Sequence, residues 1–501
     1  GLGQNQVLEI TGKDVLELLA AAMYADPLTV FREYVQNAAD SIDLARQTMP
    51  DSEAFGVTIT LDRTARSILI RDNGASIPLK RFEKQLTSIG ASEKRGKGSR
   101  GFRGVGRLSG LGYCQELLFR GRAEGEPKVM ELRWDGRRLR EQLRNATYEG
   151  DLADLVRSVV EVRQLSGENY PERFFEVELR KVTRLRGDML LNEEVVRTYL
   201  SQVAPVPFHP EFKFGAEISE YLAKRNVPAP IDIRLLGDAN PIYHRASNDI
   251  PFNDRLVDKI QSVEYIELLG QEGEVDAFGW LLDHAYLGSI PRRLQMGGIR
   301  LRAGNLQVGG EGLLSSLFNE PRFAGWSLGD IHICSPKILP NARRDDFEAS
   351  VHYTNLQDQI ALLAKRITST IRDRSLMRNR MRKALLLFST VDQWLEQTSN
   401  GQIPDAIAFK VRAIVDEKLD KARKEISKLG DTDESNALRQ RLASLSMSVN
   451  ALSRDESRKS GLKSASAKAI DAALGAILDY ASSPQVAMTM SKRVINAFAS
   501  H

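Results

Sequence analysis

The segment FREYVQNAADSIDLARQ, residues 31–47, has the spacing of an amphipathic helix. At about 100° per residue, Glu33, Asn37 and Asp40 fall in one narrow stripe. The opposite side carries the apolar residues Phe31, Val35, Ala38 and Ile42. Charged stripes normally face water, so this helix alone does not indicate an activity. Glu33 and Asn37, one helical turn apart, indicate a function only in combination with the segments that follow.

Residues 55–78, FGVTITLDRTARSILIRDNGASIP, alternate apolar and polar side chains on both sides of DRTAR. The alternation predicts a β-hairpin that ends in an Asp-Asn-Gly turn, with Asp72 at the end of a strand. A carboxylate there can accept a hydrogen bond from an exocyclic amine such as that of adenine, and Gly74 lets a flat ligand approach the backbone. Asp-Asn-Gly is also a common turn with no binding role.

A glycine-rich segment, GASEKRGKGSRGFRGVGRLSGLG, spans residues 90–112. It predicts a mobile loop that leads into a helix, whose first backbone amides stabilise phosphate. Within it, GKGSRG at residues 96–101 fits a dinucleotide-binding pattern, but no apolar strand precedes it. The spacing before Gly-Lys and the lack of a following Ser or Thr also exclude a P-loop.

The order of these elements, E-x-x-x-N, then D-x-G at a strand end, then a glycine loop closing on G-x-G, resembles the GHKL ATPase superfamily over about residues 8–205. The resemblance implies a Bergerat-fold α/β sandwich that binds ATP and Mg²⁺. It implies that Glu33 is the general base, Asn37 the Mg²⁺ ligand and Asp72 the reader of adenine. Further nucleotide contacts implied by it are Gly74, Ser92 and Lys94 in the lid, Gly101, Gly104, Val105 and Gly106. This chain has Ser76 where the family has a second glycine.

The branch of the superfamily is indicated by more distant motifs. EYVQNAADSID and GVG look like heat-shock protein 90, whereas GFRG looks like MutL. ILPNARRDDFE, residues 338–348, resembles the catalytic loop of the heat-shock protein 90 middle domain. By that match Arg344 reaches the γ-phosphate, and Asn341 stands where the family also has an asparagine. A surface charge cluster is the competing interpretation of these residues.

The 501 residues are enough for several domains, and the pattern predicts the α+β class. We expect an ATP-binding domain over residues 1–210 and an α+β middle domain over residues 211–352. Residues 353–501 have long charged helical spacing and predict an all-helical, partly coiled-coil region. Within it, residues 361–383 carry eight Lys and Arg against Asp373 alone, so nucleic-acid phosphate is an available partner beside a solvated face.

Composition narrows the remaining classes. Two cysteines and scattered histidines predict no disulfide framework and no zinc site, and no run of residues is apolar enough for a membrane span. We therefore expect a cytoplasmic protein without a membrane role. The expected activity is slow ATP hydrolysis, with lid closure and domain docking acting on a protein client. The chains can form a homodimer through the ATPase domain or the C-terminal helices. The alternatives are a MutL-like or MORC-like clamp on DNA and a nucleotide-gated scaffold in a bacterial stress or defence system.

Overall fold

The structure is a computed structural model of the chain. It describes residues 26–49, 54–88, 106–145, 152–399, 405–451 and 466–499. The predicted α+β class is confirmed, since sheets dominate the earlier part and helices the later part. The chain divides into two compact units, Gly1–Thr368 and Ser369–His501. The predicted boundary at residue 210 lies within the first unit, and the three-domain division stays a prediction.

The segment 31–47 lies in helix α1, Thr29–Thr48, as its spacing predicts. The Asp26 carboxylate accepts a hydrogen bond from the Leu28 amide at 3.1 Å, and Pro27 supplies a preformed φ for the first turn. The predicted apolar face is buried, with Phe31, Val35 and Ile42 fully covered. Burial of these large side chains holds the helix against the sheet described next.

Seven strands of the described residues form the first sheet. In chain order they are β1 Gly56–Asp62, β2 Ser67–Asp72, β3 Glu116–Arg122, β4 Lys128–Asp135, β5 Val160–Ser166, β6 Phe174–Arg180 and β7 Asp232–Leu235. Their spatial order is β5-β4-β3-β6-β2-β1-β7, and only β7 is parallel to its neighbour. The predicted hairpin is confirmed, because β1 and β2 pair antiparallel and Asp72 is the last residue of β2.

Five further α-helices are described before residue 225, and all but the last pack around this sheet and its loops. They are α2 Leu79–Thr87, α3 Gly136–Arg144, α4 Leu152–Val159, α5 Glu193–Val203 and α6 Gly215–Lys224. Side chains begin two of them: the Asp135 carboxylate accepts from the Arg138 amide, and the Asn192 carbonyl accepts from the Val195 amide. A 3₁₀ helix, Gly106–Gly112, follows the glycine-rich loop and packs on α1.

A second sheet lies later in the first unit, with the spatial order β10-β11-β14-β12-β13. Its strands are β10 Ser262–Leu269, β11 Val275–Asp283, β12 Gly298–Ala303, β13 Leu306–Val308 and β14 Leu328–Ile333. A small ribbon pairs β8 Asp249–Pro251 with β9 Val257–Lys259. Trp280 is fully buried in the apolar core of this sheet. The apolar stretches IDIRLLG, GIRLRAGNLQVG and DIHICSP, at residues 231–237, 298–309 and 330–336, predict strands, and β7, β12 with β13, and β14 lie there.

The residues described after position 350 form five helices. They are α7 Val351–Ser399, α8 Asp405–Ser427, α9 Asp433–Asn450, α10 Ser466–Tyr480 and α11 Pro484–Ala499. Within the second unit, Phe388 and Trp394 of α7 pack with Val411 of α8 in one apolar core. Among the described residues, no helix is both long and apolar enough to span a membrane.

A ladder of alternating charges crosses five strands on one face of the first sheet. In the order β2, β6, β3, β4, β5, this charge ladder consists of Arg71, Glu176, Arg120, Glu131 and Arg163. The four successive nitrogen–oxygen distances are 3.1, 3.8, 2.7 and 2.5 Å. Opposite charges on facing residues stabilise a strand register, and a slip by one residue would break every pair.

Removal of the central cation tests the ladder. We expect Arg120→Met to lower the free energy of unfolding by about 3–5 kcal/mol, because the nearly buried carboxylates of Glu131 and Glu176 lose the arginine between them. Urea denaturation followed by tryptophan fluorescence measures the change. The control is Arg137→Met, which breaks an exposed pair with Glu141 and should change stability by less than about 1 kcal/mol. Equal losses in the two variants would contradict a structural role for the ladder.

Candidate functional site

Two residues of the polar stripe of α1, Asn37 and Asp40, line a cavity of about 700 Å³. The apolar and aromatic side chains of Ile77, Phe119 and Phe175 line it elsewhere. A cavity of this size, mostly apolar with a few convergent polar groups, is typical of small-molecule sites. This part of the stripe therefore faces a cavity rather than open solvent.

Asp72 lies at the end of β2 and is buried. Burial raises the pKa of its carboxyl to about 7, although the Gly74 amide, at 2.9 Å, and the Ser41 hydroxyl both donate to it. Gly74 is required here by close packing, since a Cβ would lie 2.5 Å from the carbonyl carbon of Ser41. Ser41 itself lines the cavity, so a buried acid and a hydroxyl adjoin its wall.

The turn after Asp72 adopts an unusual backbone conformation. Ser76 has a φ of 62°, in the left-handed region that favours glycine. Its amide donates to the Ser41 hydroxyl at 3.2 Å, which ties the turn to α1. The chain therefore keeps a glycine-like backbone at the position where the resembled family has its second glycine.

Gly106 lies directly against Glu33. A Cβ at Gly106 would overlap the Glu33 carboxylate, which would have to move, so glycine permits this close approach. The 3₁₀ helix that begins at Gly106 is fastened to α1 by Tyr34, whose hydroxyl donates to the Arg107 carbonyl and accepts from the Gly110 amide, each at 2.9 Å. The other predicted phosphate and lid residues, Ser92, Lys94, Gly101, Gly104 and Val105, lie outside the described residues.

Arg344 comes from a distant loop and reaches the same carboxylate. Its Nε is 3.8 Å from Glu33 Oε1, and its side chain is 7% exposed. The loop is held in a tight form, with Arg344 at a φ of 59° and its carbonyl accepting from the Gly309 amide at 2.9 Å. Asn341 donates from its side chain to Asp345, within the same loop. The structure thus brings Glu33 and Arg344 together, and the approach of Arg344 to a γ-phosphate stays a prediction.

Arg32 is a second cation at Glu33. Its guanidinium lies 3.4 Å from Glu33 Oε1, and its Nε donates to the Gln307 carbonyl at 2.9 Å. Burial lowers the pKa of Arg32 to about 10, so it stays protonated at neutral pH. Sequence analysis did not single out Arg32, because its partner on β13 is 275 positions away. One carboxylate and two guanidinium groups leave this cluster with one excess positive charge.

Gln307 connects this cluster to the second sheet. Besides the bond from Arg32 to its backbone, its side-chain oxygen accepts from Arg300 at 3.2 Å. Its side-chain nitrogen donates to the Gly309 carbonyl at 2.9 Å. The Gly309 amide in turn bonds the backbone of Arg344, so β13 and the residue that follows it bond both arginines that flank the carboxylate.

A buried polar network fixes the second sheet against α5. Arg302 donates to the carbonyls of Gln202 and Ala204, each at 2.8 Å. Although burial alone would raise the pKa of Asp330, Arg245 holds it well below its usual range. Asp330 is therefore ionised and compensates part of the arginine charge within this dry region.

The donor set at the cavity suits a nucleotide-borne Mg²⁺. Among the described residues, no group of three or more His, Cys, Asp and Glu side chains could hold a metal ion. Mg²⁺ is commonly bound by one or two protein oxygens, water and substrate phosphates, so a complete protein cage is not needed. Asn37 lies at the cavity wall one helical turn from both Glu33 and Asp40, and its amide oxygen can serve as the protein ligand.

The basic stretch 361–383 lies on α7, and several of its cations contact protein groups. Arg366 pairs with Glu264 at 2.6 Å within the first unit. In the second unit, Arg380 donates to the Lys428 carbonyl and Arg382 to the Asn379 side chain. Binding of nucleic acid through this stretch stays a prediction.

The buried carboxyl of Asp72 gives a test by stability. Its pKa is about 7 in the folded chain and about 4 when unfolded, so the free energy of unfolding should fall as pH rises through this window. Asp72→Asn removes the buried charge and should stabilise the ligand-free protein at pH 8 by on the order of 3 kcal/mol, with the gain vanishing near pH 4. Thermal unfolding at both pH values measures it. Asp62→Asn, at the exposed end of the same hairpin, is the control and should show no such pH dependence.

A scan of the chain against models of known protein families finds no match. The GHKL resemblance therefore stays an expectation from the motifs. Among the described residues, Asn37 lines the cavity, Asp72 bonds Ser41 of its wall, and Glu33 lies beside Arg344, which comes from a loop more than 300 residues away. The roles of these residues stay predictions.

Proposed function

We propose that this chain is an ATPase of the GHKL type, most similar to heat-shock protein 90, that hydrolyses Mg·ATP in the cavity beside α1. The observation that carries the proposal is the approach of Arg344 to Glu33, at 3.8 Å. A surface charge cluster would not require a nearly buried arginine with a left-handed backbone beside an acid on a helix more than 300 residues earlier. The seven-stranded sheet packed on α1 also supports the Bergerat-fold sandwich that the motifs imply.

In this proposal the adenine ring and the phosphates of ATP occupy opposite ends of the site. The ionised carboxylate of Asp72 accepts a hydrogen bond from the amino group of adenine, beside the aromatic rings of Phe119 and Phe175. The phosphates extend toward Gly106 and Glu33, where the excess positive charge of the arginines favours an anion. The absence of a Cβ at Gly106 lets the backbone and the carboxylate stand close to the γ-phosphate.

Each side chain then has a distinct task. Glu33 accepts the proton of the attacking water, because a carboxylate near the γ-phosphate can act as a general base. Arg344 and Arg32 stabilise the negative charge that develops on the transferred phosphoryl group. Bound Mg²⁺ neutralises phosphate charge, and the Asn37 amide oxygen holds it in place. Because Arg344 comes from the later sheet region, turnover depends on its docking and is expected to be slow.

The cycle of docking and release would act on a protein client in the cytoplasm. The same chemistry in a DNA clamp would need a cationic surface. Some arginines of residues 361–383 bond groups of the protein itself, which weakens that alternative. Nitrocellulose-filter binding of duplex DNA at several salt concentrations separates the two, since phosphate contacts give a steep salt dependence.

Turnover of three variants tests the site. Glu33→Ala should bind Mg·ATP but lose turnover by about 10²–10⁴-fold, because water loses its base. Arg344→Ala should lower kcat by at least about 100-fold through lost stabilisation of the transferred phosphoryl group. Asp72→Asn should lose nucleotide binding. Steady-state phosphate release, with calorimetric titration of nucleotide, separates these effects.

The neighbouring Arg343 supplies a matched control. It carries the same charge one position earlier but is exposed, whereas Arg344 is buried. Arg343→Ala should retain turnover within about twofold, because exposed charges contribute little. Wild-type turnover in Glu33→Ala, or equal losses in the two arginine variants, would refute the assignment.

Nucleotide binding should also depend on pH through Asp72. The amine needs the ionised carboxylate, and burial raises the pKa of that group to about 7 in the empty site. The Kd for Mg·ATP should therefore rise about tenfold between pH 8 and pH 6, as more of Asp72 must lose a proton on binding. Titrations in buffers of different ionisation enthalpy should show proton release near pH 6. Glu33→Ala should show the same proton release. A Kd independent of pH would argue against recognition of adenine by Asp72.

A further inference from the structure

Two features of Ser76, a residue of the cavity wall, are energetically unfavourable. Ser76 lines the cavity, and its φ of 62° is one that glycine adopts without strain and serine does not. Its Oγ is shielded from solvent and has no hydrogen-bond partner within the described residues. Both features destabilise the protein relative to a glycine at this position.

Strand β3 makes room for the Ser76 hydroxyl. Gly121 lies in the interior of β3, where glycine weakens a strand. A Cβ at Gly121 would lie 2.8 Å from Ser76 Oγ and 3.0 Å from the ring of Phe82, so a larger residue would displace the hydroxyl. Three features therefore occur together beside the cavity wall. They are the strained backbone of Ser76, its hydroxyl without a partner among the described residues, and Gly121, which leaves room for that hydroxyl.

The neighbours of Ser76 indicate what it can contact. Its amide bonds the Ser41 hydroxyl at 3.2 Å, and the same Ser41 hydroxyl bonds the Asp72 carboxyl. Ser76 and Asp72 therefore both bond Ser41, which lines the cavity. Asp72 as a carboxylate only accepts hydrogen bonds, whereas a serine hydroxyl can also donate. Together the two side chains complement a ring nitrogen acceptor next to an amino donor. Adenine presents its 6-amino group beside ring nitrogens, whereas guanine has a carbonyl oxygen at that position.

We propose that Ser76 is a specificity-determining residue whose hydroxyl donates to a ring nitrogen of the bound adenine, beside the amine that Asp72 accepts. This inference rests on the proposed function. The ligand supplies the missing partner of the oxygen, which explains why strain is retained at this position. Because the contact is to the base and not to the reacting phosphate, its loss should appear in KM and in Kd rather than in kcat.

Two substitutions separate strain from ligand contact in the full-length chain. Ser76→Gly removes both the hydroxyl and the backbone strain, whereas Ser76→Ala removes the hydroxyl and keeps the strain. Without nucleotide, Ser76→Gly should have a higher Tm than Ser76→Ala. With Mg·ATP, both variants should bind roughly 3- to 10-fold more weakly than wild type by calorimetry, as expected for one neutral hydrogen bond.

Analogues identify the contacted nitrogen. Wild type should bind one of the two analogues, 1-deaza-ATP or 7-deaza-ATP, roughly 3- to 10-fold more weakly than ATP. That analogue lacks the contacted nitrogen, so wild type and both variants should bind it with equal affinity. Wild-type ATP affinity in both variants, or losses that add to those of both analogues, would overturn the role of Ser76 while leaving ATP binding intact. A wild-type protein that binds no ATP would instead overturn the proposed function and this inference with it.

Discussion

The arrangement around Glu33 depends on guanidinium groups buried between two sheets. Arg302 donates to carbonyls at the C-terminal end of α5, where the helix dipole favours a cation. Arg32 makes the reciprocal connection from α1 to the backbone of β13. Buried cations cannot exchange these partners for water without a large loss of free energy. β13 is thereby held against α1, and the loop that carries Arg344 is bonded to the residue that follows β13.

This constraint also sets the electrostatics of the candidate site. Two guanidinium groups share one carboxylate where little water reaches, and the attraction of the excess charge for an anion is stronger there than at an exposed surface. In the proposed reaction a phosphate would share the guanidinium groups with Glu33. The carboxylate would then be less tightly paired and better able to accept a proton. The same arginines would thus bind the phosphate and leave the Glu33 carboxylate free to act as the general base.

Short-range patterns predicted the elements that they span. The helical stripe of α1 and the alternation of the β1–β2 hairpin placed Glu33 and Asp72 correctly, because each pattern is complete within one element. Arg32 was not predicted, since the carbonyl that makes its burial favourable belongs to β13. The pairing of β7 with β1 was missed for the same reason: five strands and about 170 residues separate them, and β7 alone is too short to show its partner. The position of Arg344 was expected only from a resemblance between families.

Each of two regions beside α1 is unfavourable without a ligand. One contains the desolvated carboxyl of Asp72 and the Ser76 hydroxyl, which has no hydrogen-bond partner among the described residues, and the other is the cluster at Glu33 with its excess positive charge. A neutral hydrogen-bonding ring relieves the first, and an anion relieves the second. Adenosine or inorganic phosphate alone would leave one end unsatisfied, and only a molecule that joins both groups would gain the effective concentration of linked ligands. The unfavourable features of the empty protein therefore favour the joined ligand over its parts, which is how a binding site can destabilise its own fold and still be retained.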